Sequence, residues 1–152
     1  MLPCMAEDQV AICWARDADD LSGAFALREA VFYGEQNVPL QEELDELDRD
    51  AQHLVALDAG GRRVIGTLRL LSFGDEAKIG RVAVAAEMRR QGIASRMLEI
   101  ALARAREQGF QRVRLAAQLA AVALYAQVGF AVESEPFEEA GIAHVWMGLT
   151  LS

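Results

Sequence analysis

Between Arg81 and Leu98 the chain reads RVAVAAEMRRQGIASRML, where alternating apolar residues run into two arginines, one glycine and an amphipathic segment. The first turn of a helix leaves backbone N–H groups without partners and carries the positive end of the helix dipole. A helix opening at RRQGIAS is therefore suited to phosphate oxygens. Arg89 and Arg90 add charge, Gly92 lets a ligand approach the backbone, and Ala94 keeps the next turn small. Cations at a helix N-terminus are electrostatically misplaced unless an anion joins them, which points to an anionic ligand. The dinucleotide fingerprint needs three spaced glycines and the P-loop needs a glycine followed by Lys and Ser or Thr; neither pattern is present.

The remaining reactive side chains are few. His53 and His144 lie far apart and lack cysteines at ligand spacing, so no metal centre is expected. Cys4 and Cys13 have the spacing of neither a metal site nor a disulfide framework, which fits a reducing cytoplasm.

The elements that must hold the Arg81–Leu98 stretch can be read from periodicity. QVAICWAR, from Gln9, puts Val10, Ile12 and Trp14 on one side of a strand, and DADD then supplies capping residues. Leu21 to Gln36 reads as a helix burying Leu21, Phe25, Leu27, Val31 and Phe32, with Arg28, Glu29 and Glu35 on its polar side. HLVAL and RRVIGTLRLLSF flank Gly60-Gly61 as a hairpin, and AKIGRVAV follows as a third strand. A helix from about Gln91 to Gln108 places Ile93, Met97, Leu98, Ala101, Leu102 and Ala105 inward and is closed by Gly109. Then come the strand QRVRLAA, a short helix AVALYAQ ended by Gly129, and the closing strands FAVESEPFEE and HVWMGLTL. This order describes a mixed α/β domain with at least one right-handed crossover.

Composition narrows the function. The chain has 152 residues, 53% of them hydrophobic, enough for one core and too few for two ordinary domains. Residues 1–152 are thus expected to form a single domain, with residues 1–8 disordered. A net charge of −8 argues against nucleic acid, which needs Lys and Arg spread over a whole face. The uncharged run LAAQLAAVALYAQVGFAV is alanine-rich, changes pattern partway and holds Gln118, Gln127 and Gly129, so it reads as buried strand and helix, not as a membrane span. The acidic QEELDELDRD, Gln41 to Asp50, is expected to be a solvated loop or short helix, or else a negative rim that attracts cationic amines.

Arg89-Arg90-Gln91-Gly92-Ile93-Ala94 resembles the signature of the GNAT superfamily of acyl-CoA-dependent acetyltransferases: Arg or Gln, two residues, Gly, one residue, Gly or Ala. Downstream, QLAAVALYAQVGF resembles the superfamily's Asn-x-x-Ala-x-x-Leu-Tyr-x-x-x-Gly-Phe pattern, with Gln118 in place of Asn. VFYGEQNVPLQEELDELDRDAQHL and GIAHVWM are similar to the small bacterial YjcF-like and ElaA-like branch. The resemblance implies a central, mostly antiparallel sheet of about seven strands, helices on both faces and a splayed acyl-CoA cleft.

It also implies roles. Main-chain groups of Val82, Ala83 and Val84 would bind the pantetheine arm, with one N–H polarising the thioester carbonyl. Arg89 and Arg90 and the turn amides of Gln91, Gly92, Ile93, Ala94 and Ser95 would hold the pyrophosphate. Gln118 would hydrogen-bond the pantetheine. Tyr125 matches the general acid that protonates the leaving thiolate; a phenol stays protonated at neutral pH. Glu35, His53 and His144 are candidates for the base. The implied reaction is acetyl transfer from acetyl-CoA to a primary amine of a small molecule or peptide by direct attack, without metal, nucleic acid or membrane. A homodimer is an open expectation. An acyl-homoserine-lactone-synthase-like transferase and a non-catalytic CoA-binding sensor are the alternatives, with a pure interaction module behind them.

Overall fold

The computed structural model describes residues 10–39, 46–61 and 63–151. The expectation for residues 1–8, the residue Cys4 and positions 41–45 of the acidic segment lie outside them.

Strand β1 (Ala11–Trp14) leads to helix α1 (Ala18–Arg28). Asp17 caps that helix by accepting from the Asp20 amide at 2.9 Å, and Asp19 and Asp20 in the first turn complement the dipole. The helix therefore starts three residues before the expected Leu21. It also does not continue as an α-helix to Gln36: Glu29–Glu35 winds as a π-helix, in which the Gln36 amide bonds the Val31 carbonyl five residues back at 3.1 Å. Such wide turns change which side chains share a face and are frequent at functional sites. A 3₁₀ turn, Glu46–Asp50, precedes the sheet strands β2 (Gln52–Leu57), β3 (Val64–Phe73) and β4 (Glu76–Val84).

After a 3₁₀ turn at Ala86–Met88 come helix α2 (Ile93–Glu107), strand β5 (Arg112–Gln118), helix α3 (Val122–Val128), and strands β6 (Ala131–Val132), β7 (Phe137–Glu139) and β8 (Ile142–Thr150). The sheet has eight strands in the order β1-β2-β3-β4-β5-β8-β6, with β7 also on β8. The sheet holds one strand more than the seven segments read as strands because FAVESEPFEE is not one strand. It breaks into β6 and β7 around Pro136, which has no N–H to give a ladder, and both pieces pair with β8. All pairings are antiparallel except β4 with β5, which α2 connects.

Alternation along β2 sends Leu54 and Ala56 to the face shared with Met97, Leu98 and Ala101 of α2. Val55 and Leu57 pack with Ala24 of α1. Helices thus cover both faces. The six α2 positions expected to face inward are all buried. Gly66 sets how closely α2 approaches β3, because a Cβ there would stand 3.1 Å from Ala56 Cβ and 3.2 Å from both Ile93 Cγ2 and Met97 Cε.

Candidate functional site

The parallel ladder between β4 and β5 runs only from Glu76–Arg112 to Ile79–Leu115. Beyond it, Gly80 to Val84 and Ala116 to Gln118 are not paired with each other, so the sheet opens into a wedge. A β-bulge coincides with this opening. Arg69 pairs with Gly80 but Thr67 pairs with Ala83, leaving one extra residue in β4, and Arg81 takes the left-handed φ of 53°. A cleft of about 760 Å³ occupies the wedge.

Val82, Ala83 and Val84 line this cleft from β4. At the end of β4 the chain turns through Arg90 (φ 64°) and Gly92 (φ 81°) into α2. Gly92 is required by that φ, while the space a Cβ would take is open. The first α2 bond runs from the Arg96 amide to the Gly92 carbonyl at 3.1 Å, so the amides of Ile93, Ala94 and Ser95 precede the helical ladder. Arg89, Arg90, Gly92, Ile93, Ala94 and Ser95 all line the cleft, whereas Gln91 is exposed in the turn and does not. Arg89 is partly committed: its Nε donates to the Val84 carbonyl at 2.9 Å and its Nη2 lies 2.9 Å from Glu35 Oε1.

That pairing bears on Glu35. The π-helix sets this residue at the cleft's outside edge, where it forms an exposed ion pair with Arg89 and is not among the lining residues. His53 also stays outside the cleft. It is buried edge-on against Phe25, with Nε2 3.0 Å from the Asp48 carbonyl. His144 does line the cleft.

Tyr125 reaches the cleft from α3 and is only 7% exposed, with its ring edge-on to Phe130. Burial disfavours the phenolate and pushes the phenol up to about 12. Among the described residues its hydroxyl has no hydrogen-bonding partner, which leaves its proton available to a molecule in the cleft. Gln118 sits at the end of β5, where its Nε2 donates to Gln36 Oε1 at 2.9 Å. The π-helix delivers Gln36 to that position, a contact spanning 82 residues that no local pattern reveals.

A second unit missed by periodicity stands beside the cleft, which Arg69 lines. Arg28 is 1% exposed and holds both Asp48 oxygens at 2.8 and 2.9 Å, and Arg69 adds a third contact at 3.0 Å. Burial pushes the Asp48 carboxyl up, but hydrogen bonds and charge from Arg28 and Arg69 outweigh it and leave the group below its usual value. The signal was an arginine inside the leucines of RRVIGTLRLLSF, since a charge in a buried strand demands a partner. Arg28, expected on the polar side of its helix, is one of the largest fully buried side chains.

Among the described residues no group of His, Cys, Asp and Glu could hold a metal ion, and no helix is long and apolar enough to cross a membrane. The acetyltransferase (GNAT) domain family matches residues 6–151. The chain is 35% identical over 134 residues to the Bacillus subtilis uncharacterized N-acetyltransferase YjcF, covering 88% of this chain and 94% of that one. It superposes on Escherichia coli ElaA with a TM-score of 0.79 at 26% identity, covering 92% of this chain and 97% of ElaA. At the level of fold it matches a GNAT family acetyltransferase from Elizabethkingia anophelis solved with acetyl-CoA bound, with a TM-score of 0.73 at 16% identity over 95% and 99% of the two chains.

Proposed function

The chain belongs to the GNAT acetyltransferase family, and on that premise we propose that it transfers an acetyl group from acetyl-CoA to a primary amine of a small molecule or peptide, acting as a single domain in the cytoplasm. The observation that carries this reading is the meeting, in one wedge, of an unpaired β4 edge, the unbonded amides at the start of α2 and a buried phenol.

The pantetheine arm lies along Val82, Ala83 and Val84 as a substitute strand, its amides bonding the main-chain groups that β5 leaves free. A β4 amide polarises the thioester carbonyl and stabilises the negative charge that builds there during attack. The amides of Ile93, Ala94 and Ser95, with Arg90 and the shared charge of Arg89, hold the pyrophosphate. Gln118, fixed by Gln36, meets the pantetheine from β5. The amine attacks the carbonyl carbon directly, a reaction that needs positioning more than a protein nucleophile. Tyr125 protonates the departing sulfur. Burial that penalises tyrosinate also penalises the thiolate, so donor and acceptor stay matched in the same dry site.

Thiol release from acetyl-CoA, measured against a panel of primary amines, tests this reading. Turnover with at least one amine is expected. Turnover only with acyl-carrier-protein thioesters would move the assignment to the acyl-homoserine-lactone-synthase-like alternative, and tight acetyl-CoA binding without any turnover would favour the sensor.

A further inference from the structure

An ammonium must lose a proton before it can attack, and Glu35 is held outside the cleft by Arg89. We propose that His144 of β8 is the general base of the acetyl transfer described above, a role that rests on that reading. Its Nδ1 lies 2.7 Å from the Ile142 carbonyl. A carbonyl oxygen only accepts, so Nδ1 carries the hydrogen and the lone pair of the neutral ring is on Nε2.

The ring is well held. Phe137 of β7 stacks on it at 5.9 Å and 22°, and the residue lines the cleft while only 7% exposed. His144 sits directly across the β5–β8 ladder from Gln118, so the two side chains share a face of the sheet. Its neighbours Val145 and Met147 point to the other face, into the core that includes Tyr125. Base and acid therefore approach the wedge from opposite sides. The charged and titratable groups lining the cleft with His144 are Arg69 of β3, Lys78 and Arg81 of β4, Arg89 and Arg90 of the turn before α2, Glu139 of β7 and Tyr125 of α3. The Glu139 side chain is exposed at the rim, with no hydrogen bond or ion pair to a described residue, which leaves His144 as the positioned base.

Nε2 takes one proton from the ammonium. The amine lone pair then forms the C–N bond at the thioester carbon, and the adduct collapses by breaking the C–S bond. The nitrogen loses its second proton to water, Tyr125 protonates the sulfur and recovers its own proton from solvent, and the imidazolium releases its proton. Ammonium and acetyl-CoA thus give amide, thiol and one proton.

His144→Asn is the informative variant, because its amide can still donate to the Ile142 carbonyl but has no basic nitrogen. With acetyl-CoA and a panel of a polyamine, an amino sugar, an α-amino acid and a short peptide, kcat/KM for the amine is expected to fall about 100- to 10,000-fold. The acidic limb of its pH profile should disappear, acetyl-CoA binding should persist, and free imidazole should restore part of the rate in His144→Ala. Turnover of His144→Asn within twofold of wild type overturns the proposal and leaves acetyl transfer standing. Loss of acetyl-CoA binding in parallel with activity overturns it in favour of a structural role. A wild type that binds acetyl-CoA but acetylates no amine overturns both readings together. Long-range proton–nitrogen spectra of the wild type, whose two histidines are readily told apart, give a check that needs no variant to fold. A neutral His144 protonated on Nε2 overturns the assignment.

Discussion

Burial raises both Tyr125 and Asp48 beside one cleft, unopposed at the phenol and outweighed by Arg28 and Arg69 at the carboxyl. Removing the phenol oxygen keeps the packing against Phe130, so Tyr125→Phe is expected to retain acetyl-CoA binding while kcat falls about 100- to 10,000-fold, measured by thiol release. The raised phenol also has a linkage consequence. Its pKa rises from 10.0 unfolded to about 12 folded, so its contribution to stability is complete below pH 10 and is lost as pH climbs through 12. Denaturant unfolding should show wild type losing roughly 3 kcal/mol over that window relative to Tyr125→Phe. Asp48 has the opposite sign, because its folded pKa is depressed below 3.8; its contribution is present above that pH and is lost as the pH falls further. Asp48→Asn deprives two buried arginines of their shared counter-charge. It should cost about 3–5 kcal/mol at neutral pH, read by the same unfolding assay.

At the scale of elements, α2 must lie close to β3 for its first amides to face the wedge, and Gly66 permits that approach. Gly66→Val drives two methyl groups into Ile93 and Met97. It is expected to destabilise by about 1–3 kcal/mol and to weaken acetyl-CoA binding by displacing the start of α2, measurable by calorimetry. The α2 face was legible because six small or apolar residues recur at helical spacing, and the β4–turn–α2 motif was legible because its glycine and arginines are contiguous. Three features were not. The π-helix at Glu29–Glu35 obeys hydrogen bonds one residue longer than the α period, so a 3.6-residue pattern reads through it. The split of β6 from β7 depends on two short segments finding one partner strand, β8. The links Arg28–Asp48–Arg69 and Gln36–Gln118 join residues distant in sequence, and only the fold brings them together.

The molecule as a whole carries a net charge of −8, yet its cleft is lined by Arg69, Lys78, Arg81, Arg89 and Arg90, with Glu139 the single carboxylate among the described lining residues. Cations gathered at one opening of an acidic protein draw a polyanion toward it. Affinity for acetyl-CoA should therefore fall as ionic strength rises and the screening length drops from about 10 Å at 0.1 M toward 3 Å at 1 M, a trend calorimetry in graded salt would record. The most direct test of the account is thermal unfolding with and without acetyl-CoA. At a hundredfold over its dissociation constant the ligand should add about 2.7 kcal/mol of stability and raise the midpoint by roughly 5–10 °C for a chain of this size. An unchanged midpoint in folded protein at millimolar acetyl-CoA would contradict the assignment of the wedge as an acyl-CoA site.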